Sequence, residues 1–402
     1  MFEEVKMVTY LDNNATTQVD PEVIKSMIPF LENVFYNPSS AYKEARISKL
    51  AIDEARSVVK QMLNAQYDTE IIFTGSATES NNFAIHGVLE ASLDRKHIIT
   101  TKVEHPAILE VCNDLEKKGY TVTYLDVDVN GNLSIKDLIK AIRRDTAIVS
   151  IMYANNETGV IFPVDKLSRI VKQTDPKIIF HTDATQAVGK LDIDLAGKLK
   201  YVDLLSFSGH KIYAPKGIGV LYSKKGATIC PFILGGHQER GMRAGTENVP
   251  YIVGFKKACE LLIKESSERS LSMLEMRDQF EKFVVANIPY VKINGGAALR
   301  IDNTSNISFY GIEGESILYA LNEEGICIST GSACSSGSLA PSHVMQAMSV
   351  PFTYAHGSLR VSFGRFNSKK DLEKIKNVLP NVISKLREIS PYWDCQKDLP
   401  VE

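Results

Sequence analysis

Lys177-Ile178-Ile179-Phe180-His181-Thr182-Asp183 is an apolar run that ends on an acid, and Val202-Asp203-Leu204-Leu205-Ser206-Phe207-Ser208-Gly209-His210-Lys211 is a second that ends on a lysine. Near-continuous β-branched and apolar runs of this length read as strands covered on both faces, the pattern of a mostly parallel sheet. Working outward, similar runs recur at Glu70-Ile71-Ile72-Phe73, His97-Ile98-Ile99-Thr100, Thr121-Val122-Thr123-Tyr124, Thr146-Ala147-Ile148-Val149-Ser150 and Gly219-Val220-Leu221-Tyr222. Amphipathic stretches at 80–92, 108–118 and 134–143 separate several of them. This alternation predicts an α/β fold with helices on both faces of the sheet. Beyond Tyr251, residues 251–287 carry Lys, Glu, Leu and Met at helical spacing with few breakers, which predicts one or two long helices ending near Pro289. Strand-like Ile307-Ser308-Phe309, Ile326-Cys327-Ile328 and Leu359-Arg360-Val361-Ser362-Phe363, with a helix over 370–389, predict a smaller α+β domain. The expected division is 15–262 for the large domain and 1–14 with 263–402 for the small one.

A chain of 402 residues with 44% apolar and 23% charged residues can bury a large core without disulfides or metals. Its 46 Lys+Arg against 48 Asp+Glu leave a net charge of −2. That balance argues against a nucleic-acid glove or an anionic-membrane binder, both of which need a basic excess, and favours a small-molecule enzyme. Six cysteines, no two of them spaced as C-x-x-C, exclude a zinc ribbon or a dithiol redox pair and are too sparse for a secreted disulfide scaffold. No apolar stretch approaches the roughly 18 residues of a membrane span, and the acidic start Met1-Phe2-Glu3-Glu4 lacks the features of a signal peptide. A cytoplasmic location is expected.

Four polar constellations fall at strand ends, where open α/β sheets bind their ligands. Gly75-Ser76-Ala77-Thr78-Glu79-Ser80 runs from a strand into a helix N-terminus, which is either a phosphate site or an ordinary N-cap. Asp183, with Gln186 following, suits a protonated pyridine nitrogen, or equally an N-cap for a helix starting at Ala184. Lys211 ends an apolar strand beside Ser208 and His210, where a desolvated amine forms a Schiff base; the plainer reading is a solvated turn lysine. The loop Thr330-Gly331-Ser332-Ala333-Cys334-Ser335-Ser336-Gly337-Ser338-Leu339 gives Cys334 little to pack against, which marks it as the reactive thiol, whereas Cys327 reads as structural. Arg360 is a candidate carboxylate clamp or the partner of a neighbouring acid. A phosphate, a pyridinium, an aldehyde for the lysine and a carboxylate are together supplied by pyridoxal phosphate bearing an amino acid.

Longer motifs then become specific. Tyr10-Leu11-Asp12-Asn13-Asn14-Ala15-Thr16-Thr17, Thr78-Glu79-Ser80-Asn81-Asn82, Glu104-His105, Asn155-Asn156-Glu157-Thr158-Gly159 and His181-Thr182-Asp183-Ala184-Thr185-Gln186 open the series. Ser208-Gly209-His210-Lys211, Gly235-Gly236-His237-Gln238-Glu239-Arg240-Gly241-Met242-Arg243-Ala244-Gly245-Thr246 and Gly331-Ser332-Ala333-Cys334 complete it. In this order, from residue 10 to about 365, they resemble the cysteine desulfurases of NifS/IscS type in the class V aminotransferase family.

The resemblance implies a homodimeric fold-type I pyridoxal-phosphate enzyme that converts L-cysteine to L-alanine. It implies that Lys211 holds the cofactor and carries protons, Asp183 pairs with the pyridine nitrogen, His105 stacks on the ring and Gln186 bonds its hydroxyl. Ala77, Thr78, Ser208 and His210 would surround the phosphate, with Thr246 arriving from the other subunit. Asn156 and Arg360 would hold the substrate carboxylate, with Asn13 nearby, and Cys334 would take the sulfur as a persulfide. The implied acceptor is an iron–sulfur scaffold protein of the IscU/NifU kind. No resident metal is implied, although Cys334 could ligate an iron–sulfur cluster transiently during transfer. Gly75-Ser76-Ala77 departs from the family's usual Ser-Gly-Ala, and Ala340 stands where many relatives carry Glu. The alternatives are a related aminotransferase or selenocysteine lyase, and a catalytically silent sulfur carrier or scaffold partner. A plain aminotransferase has no use for Cys334, and a silent carrier has none for Lys211 and Asp183.

Overall fold

The computed structural model describes residues 8–330, 341–394, 396–397 and 399–401, with the side chains of 265–270 left aside. The apolar runs form one seven-stranded sheet: β1 (Ile71–Thr74), β2 (His97–Thr101), β3 (Thr121–Leu125), β4 (Thr146–Ser150), β5 (Ile179–Asp183), β6 (Leu204–Ser208) and β7 (Gly219–Ser223). Their order across the sheet is β1-β7-β6-β5-β4-β2-β3. All neighbours are parallel except β7, which runs antiparallel to both β1 and β6. The sheet is covered on both sides. One apolar core gathers Phe73, Val149, Phe180, Phe207 and Phe255, while another gathers Ile72, Phe83, Ile98, Ile148 and Leu221. Alternate side chains of each strand enter opposite cores, which is why the runs are apolar at nearly every position.

Two helices not expected from the sequence precede the sheet, α1 (Pro21–Glu32) and α2 (Ala45–Met62). Between strands come α3 (Ala77–Ala91) and α4 (Pro106–Lys117), each starting slightly ahead of its expected position. The segment after Tyr251 forms a single helix, α5 (Val249–Asn287), capped by the Asn248 side chain. Its first half packs into the sheet's core through Ile252, Phe255 and Leu262. Its second half contributes Met273, Phe280 and Val284 to a separate core that also holds Leu11, Phe309, Val361 and Leu379.

Around that separate core lies a four-stranded antiparallel sheet of β8 (Val291–Ile293), β9 (Thr304–Phe309), β10 (Ser329–Thr330) and β11 (Ser358–Ser362), in the order β10-β11-β9-β8. Helix α6 (Lys369–Glu388) covers it. The N-terminal strand Thr9–Tyr10 pairs with Ile326–Cys327, and Asp12 bridges to Ser362. Residues 9–12 are thereby tied to the last third of the chain. We propose the division 15–262 and 1–14 with 263–402 because the two cores flanking the large sheet stand apart from this third one, with Val344, Met345 and Met348 reaching back onto the core that holds Phe255.

Candidate active site

Strands β5 and β6 pair with Asp183 opposite Ser206, so that Asp183 and the Ser208–Lys211 turn emerge at the same edge of the sheet. That edge opens on a cleft of about 390 Å³. It lies at the carboxyl ends of parallel strands, the usual ligand position in open α/β sheets. Among the residues singled out by sequence, Ala77, Thr78, His105, Asn156, Asp183, Gln186, Ser208, His210, Lys211 and Arg360 all line it. Strand ends far apart in the chain are thus brought to one site.

Lys211 sits on a single 3-10 turn directly after β6. Its Nζ donates to the carbonyls of Asn14 at 2.6 Å and Ala15 at 2.7 Å. Burial, reinforced by the Arg360 cation, lowers its amine to about 8 against the attraction of Asp12 and Asp183. Such a lysine has a sizeable free-amine fraction near neutral pH and can attack a carbonyl.

Asp183 is 5% exposed, and its Oδ2 accepts from Asn81 Nδ2 at 2.7 Å while its Oδ1 accepts from Thr185 N at 2.9 Å. No helix begins at Ala184: the chain makes turns there, so the N-cap reading of Asp183 is overturned by its place at the end of β5. The acid's hydrogen-bond partners are neutral donors, which leaves its charge available to a cation in the cleft.

His105 caps α4, with Pro106 at the first helical position where a missing N–H costs nothing. Its Nδ1 accepts from Ala107 N at 3.1 Å, which leaves Nε2 as the protonated nitrogen of the neutral ring. Burial first, then the Lys211 and His343 charges, lower its pKa below the usual histidine value in spite of Asp183. His210 is pushed down to about 4, mainly by burial, and its Nδ1 meets Thr16 Oγ1 at 3.2 Å.

Ser76 is the N-cap of α3, its Oγ accepting from Glu79 N at 3.1 Å. The start of α3, with Ala77 and Thr78, therefore presents free backbone N–H groups to the cleft, as an anion site requires. Gly219 opens β7 directly beneath this turn. A Cβ there would lie 2.5 Å from the Ser76 carbonyl carbon, so the close approach requires glycine.

Arg360 lines the cleft as the partner of a neighbouring acid. Its Nη2 pairs with Asp12 Oδ1 at 2.7 Å and its Nη1 donates to the Asn156 carbonyl at 3.1 Å, while its buried Nε has no partner among the described residues. Asn13 does not line the cleft; its Nδ2 donates to the Ser362 carbonyl at 2.9 Å and to Asn367 Oδ1 at 3.1 Å. Thr246 is exposed and does not line this chain's cleft. Cys334 and its neighbours 331–340 lie outside the described residues. Burial raises the thiols of Cys112, Cys259 and Cys327, so none of these three is a ready thiolate.

Sequence reasoning gave no role to two residues that the structure brings here, Asn14 and Glu104. Asn14 joins Lys211, Gln186 and Arg360 through its carbonyl and its Nδ2 contact with Asn156 O at 3.2 Å. Glu104 lies fully buried behind His105, and its carboxyl is pushed up to about 8, mainly by burial. Its Oε1 accepts from Met152 N and Thr101 Oγ1, each at 2.9 Å. Both residues stood inside quoted motifs, and their position beside assigned residues was the available signal. Among the described residues no cluster of three or more His, Cys, Asp or Glu is arranged to hold a metal ion.

Comparison with known proteins agrees with this geometry. The class-V aminotransferase family matches residues 9–375. A cysteine desulfurase IscS of Dictyoglomus turgidum is 50% identical over 98% of this chain and 100% of its own length. The cysteine desulfurase NifS of Azotobacter vinelandii is 45% identical over 96% of this chain and 94% of its own. The solved structure of a NifS-like protein superposes with a TM-score of 0.88 at 37% identity, covering 94% of this chain and all of that one. Fold, cleft and relatives agree: the chain belongs to the class-V aminotransferase family and, within it, to the cysteine desulfurases.

Proposed function

We propose that this cleft holds pyridoxal phosphate and that the chain uses it to convert L-cysteine to L-alanine, leaving the sulfur as a persulfide on Cys334. The observation that carries the reading is Lys211, a desolvated amine held by two carbonyls at the edge where Asp183 also emerges. The donor set fits the group. Helix N–H groups at Ala77 and Thr78 with Ser208 and His210 suit the phosphate, Asp183 the ring nitrogen, and Gln186 the ring hydroxyl. Thr185 Oγ1, on the cleft wall, is a buried hydroxyl with no hydrogen-bond partner among the described residues. When bound, the cofactor supplies an electron sink for the substrate's Cα.

The chain's own residues do the rest. Arg360, with one face already held by Asp12, and Asn156 bind the substrate carboxylate and orient its side chain. Lys211 Nζ takes and returns the Cα proton, and His105 Nε2 stands ready to hand a proton to the β-carbon side. The sulfur balance closes without an outside oxidant: one C–S bond of cysteine breaks, one S–S bond forms on Cys334, and the released three-carbon unit takes up the proton to become alanine. Delivery to an iron–sulfur scaffold of the IscU/NifU kind follows as the use of the persulfide.

A second copy of the chain completes the reading. Ile24, Leu31, Phe35, Tyr42 and Leu50, on and around α1 and α2, are large apolar side chains left exposed, and Thr246 is exposed without lining its own cleft. Both support a homodimer in which Thr246 serves the other subunit. Among the described residues no helix is long and apolar enough to cross a membrane, and the cytoplasm is the compartment proposed.

The test is chemical. Purified protein loaded with pyridoxal phosphate should absorb in the visible, borohydride should fix the cofactor on Lys211, and L-cysteine should give equal amounts of alanine and persulfide or sulfide. Cys334→Ala should bind cofactor as the native chain does and release no sulfide. A chain that takes up no cofactor would overturn the proposal; undiminished sulfide from Cys334→Ala would overturn the persulfide step.

A further inference from the structure

Gln186 faces the cleft, and an amide there can present either its oxygen or its nitrogen. Which end it presents decides whether it donates to or accepts from whatever lies beside it. Two contacts settle the matter. Its Nε2 donates to the Asn14 carbonyl at 3.0 Å, and its Oε1 accepts from Lys190 Nζ at 2.5 Å. The carbonyl requires a donor and the lysine requires an acceptor, so flipping the amide would break both bonds at once.

Lys190 has no part in the activity assigned above. It follows Gly189, whose φ of +80° reverses the chain after the turn at Ala184–Ala187. The reversal brings Lys190 Nζ back towards Gln186 and also within 3.0 Å of Asn14 Oδ1. That oxygen is identified independently. Asn14 Nδ2 donates to Thr304 Oγ1 at 2.8 Å and to the Asn156 carbonyl, and Asn14 Oδ1 further accepts from Asn303 Nδ2 at 3.1 Å. One amine therefore joins two amides, and the Asn14 carbonyl in turn accepts from Lys211 Nζ. Burial lowers the Lys190 amine well below its ordinary value, with Lys211 and Arg360 adding repulsion. Charged or neutral, it donates to the same two oxygens.

We propose that Lys190 is a positioning residue for the cofactor cleft: by holding Gln186 Oε1 and Asn14 Oδ1 it turns the Gln186 amide so that an N–H, and not the oxygen, is offered to the cofactor's ring hydroxyl. The inference rests on the cofactor reading above. A donor at that place stabilises the ionised hydroxyl of the bound ring, so its loss is visible in the absorption spectrum as well as in affinity.

The experiment compares the native chain with Lys190→Met, Lys190→Arg, Gln186→Leu and the double variant Lys190→Met/Gln186→Leu. Each apoprotein is titrated with pyridoxal phosphate, and the visible spectrum of the loaded protein is recorded. Thermal unfolding of the apoproteins reports on folding. Lys190→Met should weaken cofactor binding about tenfold, the worth of one or two hydrogen bonds, and shift the balance of visible bands as Gln186→Leu does. Lys190→Arg should restore most of both. The double variant should lose no more than the worse single variant, because both changes remove one arrangement. Additive losses, a native spectrum in Lys190→Met, or equal damage in Lys190→Arg would overturn the inference and leave the cofactor reading intact. Failure of the native chain to bind the cofactor would overturn both.

Discussion

Replacing Glu104 by Gln should make the protein relatively more stable as the pH rises. The carboxyl is fully buried, donors reach only its Oε1, and its Oε2 has no partner among the described residues. Burial, with a further push from Asp183, raises its pKa from 4.5 to about 8 in spite of the hydrogen bonds from Met152 N and Thr101. Between those values the folded chain keeps a proton that the unfolded chain has lost. Stability therefore falls as the pH climbs from 4.5 towards 8 and levels off above it. The cost relative to a permanently neutral group is about 2 kcal/mol at pH 6 and about 5 kcal/mol at pH 9. Gln copies the neutral acid: its oxygen takes the Met152 and Thr101 donors, and its amide nitrogen occupies the unpartnered place. Urea unfolding of the two apoproteins at fixed concentration should therefore show similar stability near pH 4, with Glu104→Gln ahead of native by about 2 kcal/mol at pH 6 and about 5 kcal/mol at pH 9. Every other titrating group contributes equally to both proteins and cancels in the difference. Parallel pH profiles would refute the argument, since they would mean that the buried carboxyl is ionised throughout.

Three further outcomes follow from the same geometry. The rate at which apoprotein takes up pyridoxal phosphate should rise with pH and level off just above 8, where the Lys211 amine becomes free; a rise continuing past about 10 would indicate an ordinary lysine. Gly219→Ala should displace the Ser76–Ala77 turn and weaken binding of the cofactor and of inorganic phosphate, measured by titration, while the isolated ring analogue pyridoxal is affected less. Arg56 pairs with Glu239 through two bonds of 2.7 and 2.8 Å, both side chains being buried, and Glu239 lies at a positive φ of 46°. Arg56→Met should cost about 3–5 kcal/mol in urea unfolding because it strands the carboxylate, and Arg56→Met/Glu239→Gln should recover part of that loss.

The sheet was legible because strands buried on both faces leave little room for polar residues, and each of the seven apolar runs became a strand. The ends of those runs were legible for the complementary reason: Asp183 and Lys211 are costly inside a core, so charges placed there imply a site. Helix α3 starts at Ala77, ahead of the expected Ser80, because Ala77-Thr78-Glu79 is equally at home in a turn and only the Ser76 cap fixes the boundary. Ala184–Gln186 looked like a helix start after an acid, and Gly189 at positive φ is where the chain turns instead. Lys190 gave no signal. A lysine after glycine reads as solvated, and its partners Gln186 and Asn14 are united only by folding.

Net charge was the least informative of the sequence quantities, and the structure shows why. A total of −2 says nothing about a cleft lined by both Lys211 and Arg360, with Lys190, outside the lining, held on Gln186 and Asn14. Four acids stand near them, but they do not act alike. Asp12 is committed to Arg360, and Asp183 is placed for a cation at the strand end. Glu104 and Glu157 are both buried and both raised by that burial, which favours their uncharged forms. The charged side chains that do line the cleft are Lys211 and Arg360 against Asp183, while burial disfavours the charge of Glu104 and Glu157 outside the lining. A ligand that brings a phosphate, a carboxylate and one cationic ring nitrogen matches that distribution, whereas a neutral ligand would leave the cations repelling one another. The match between cleft and ligand thus rests on Lys211, Arg360 and Asp183 at the lining, with the two carboxyls whose charge burial disfavours set outside it.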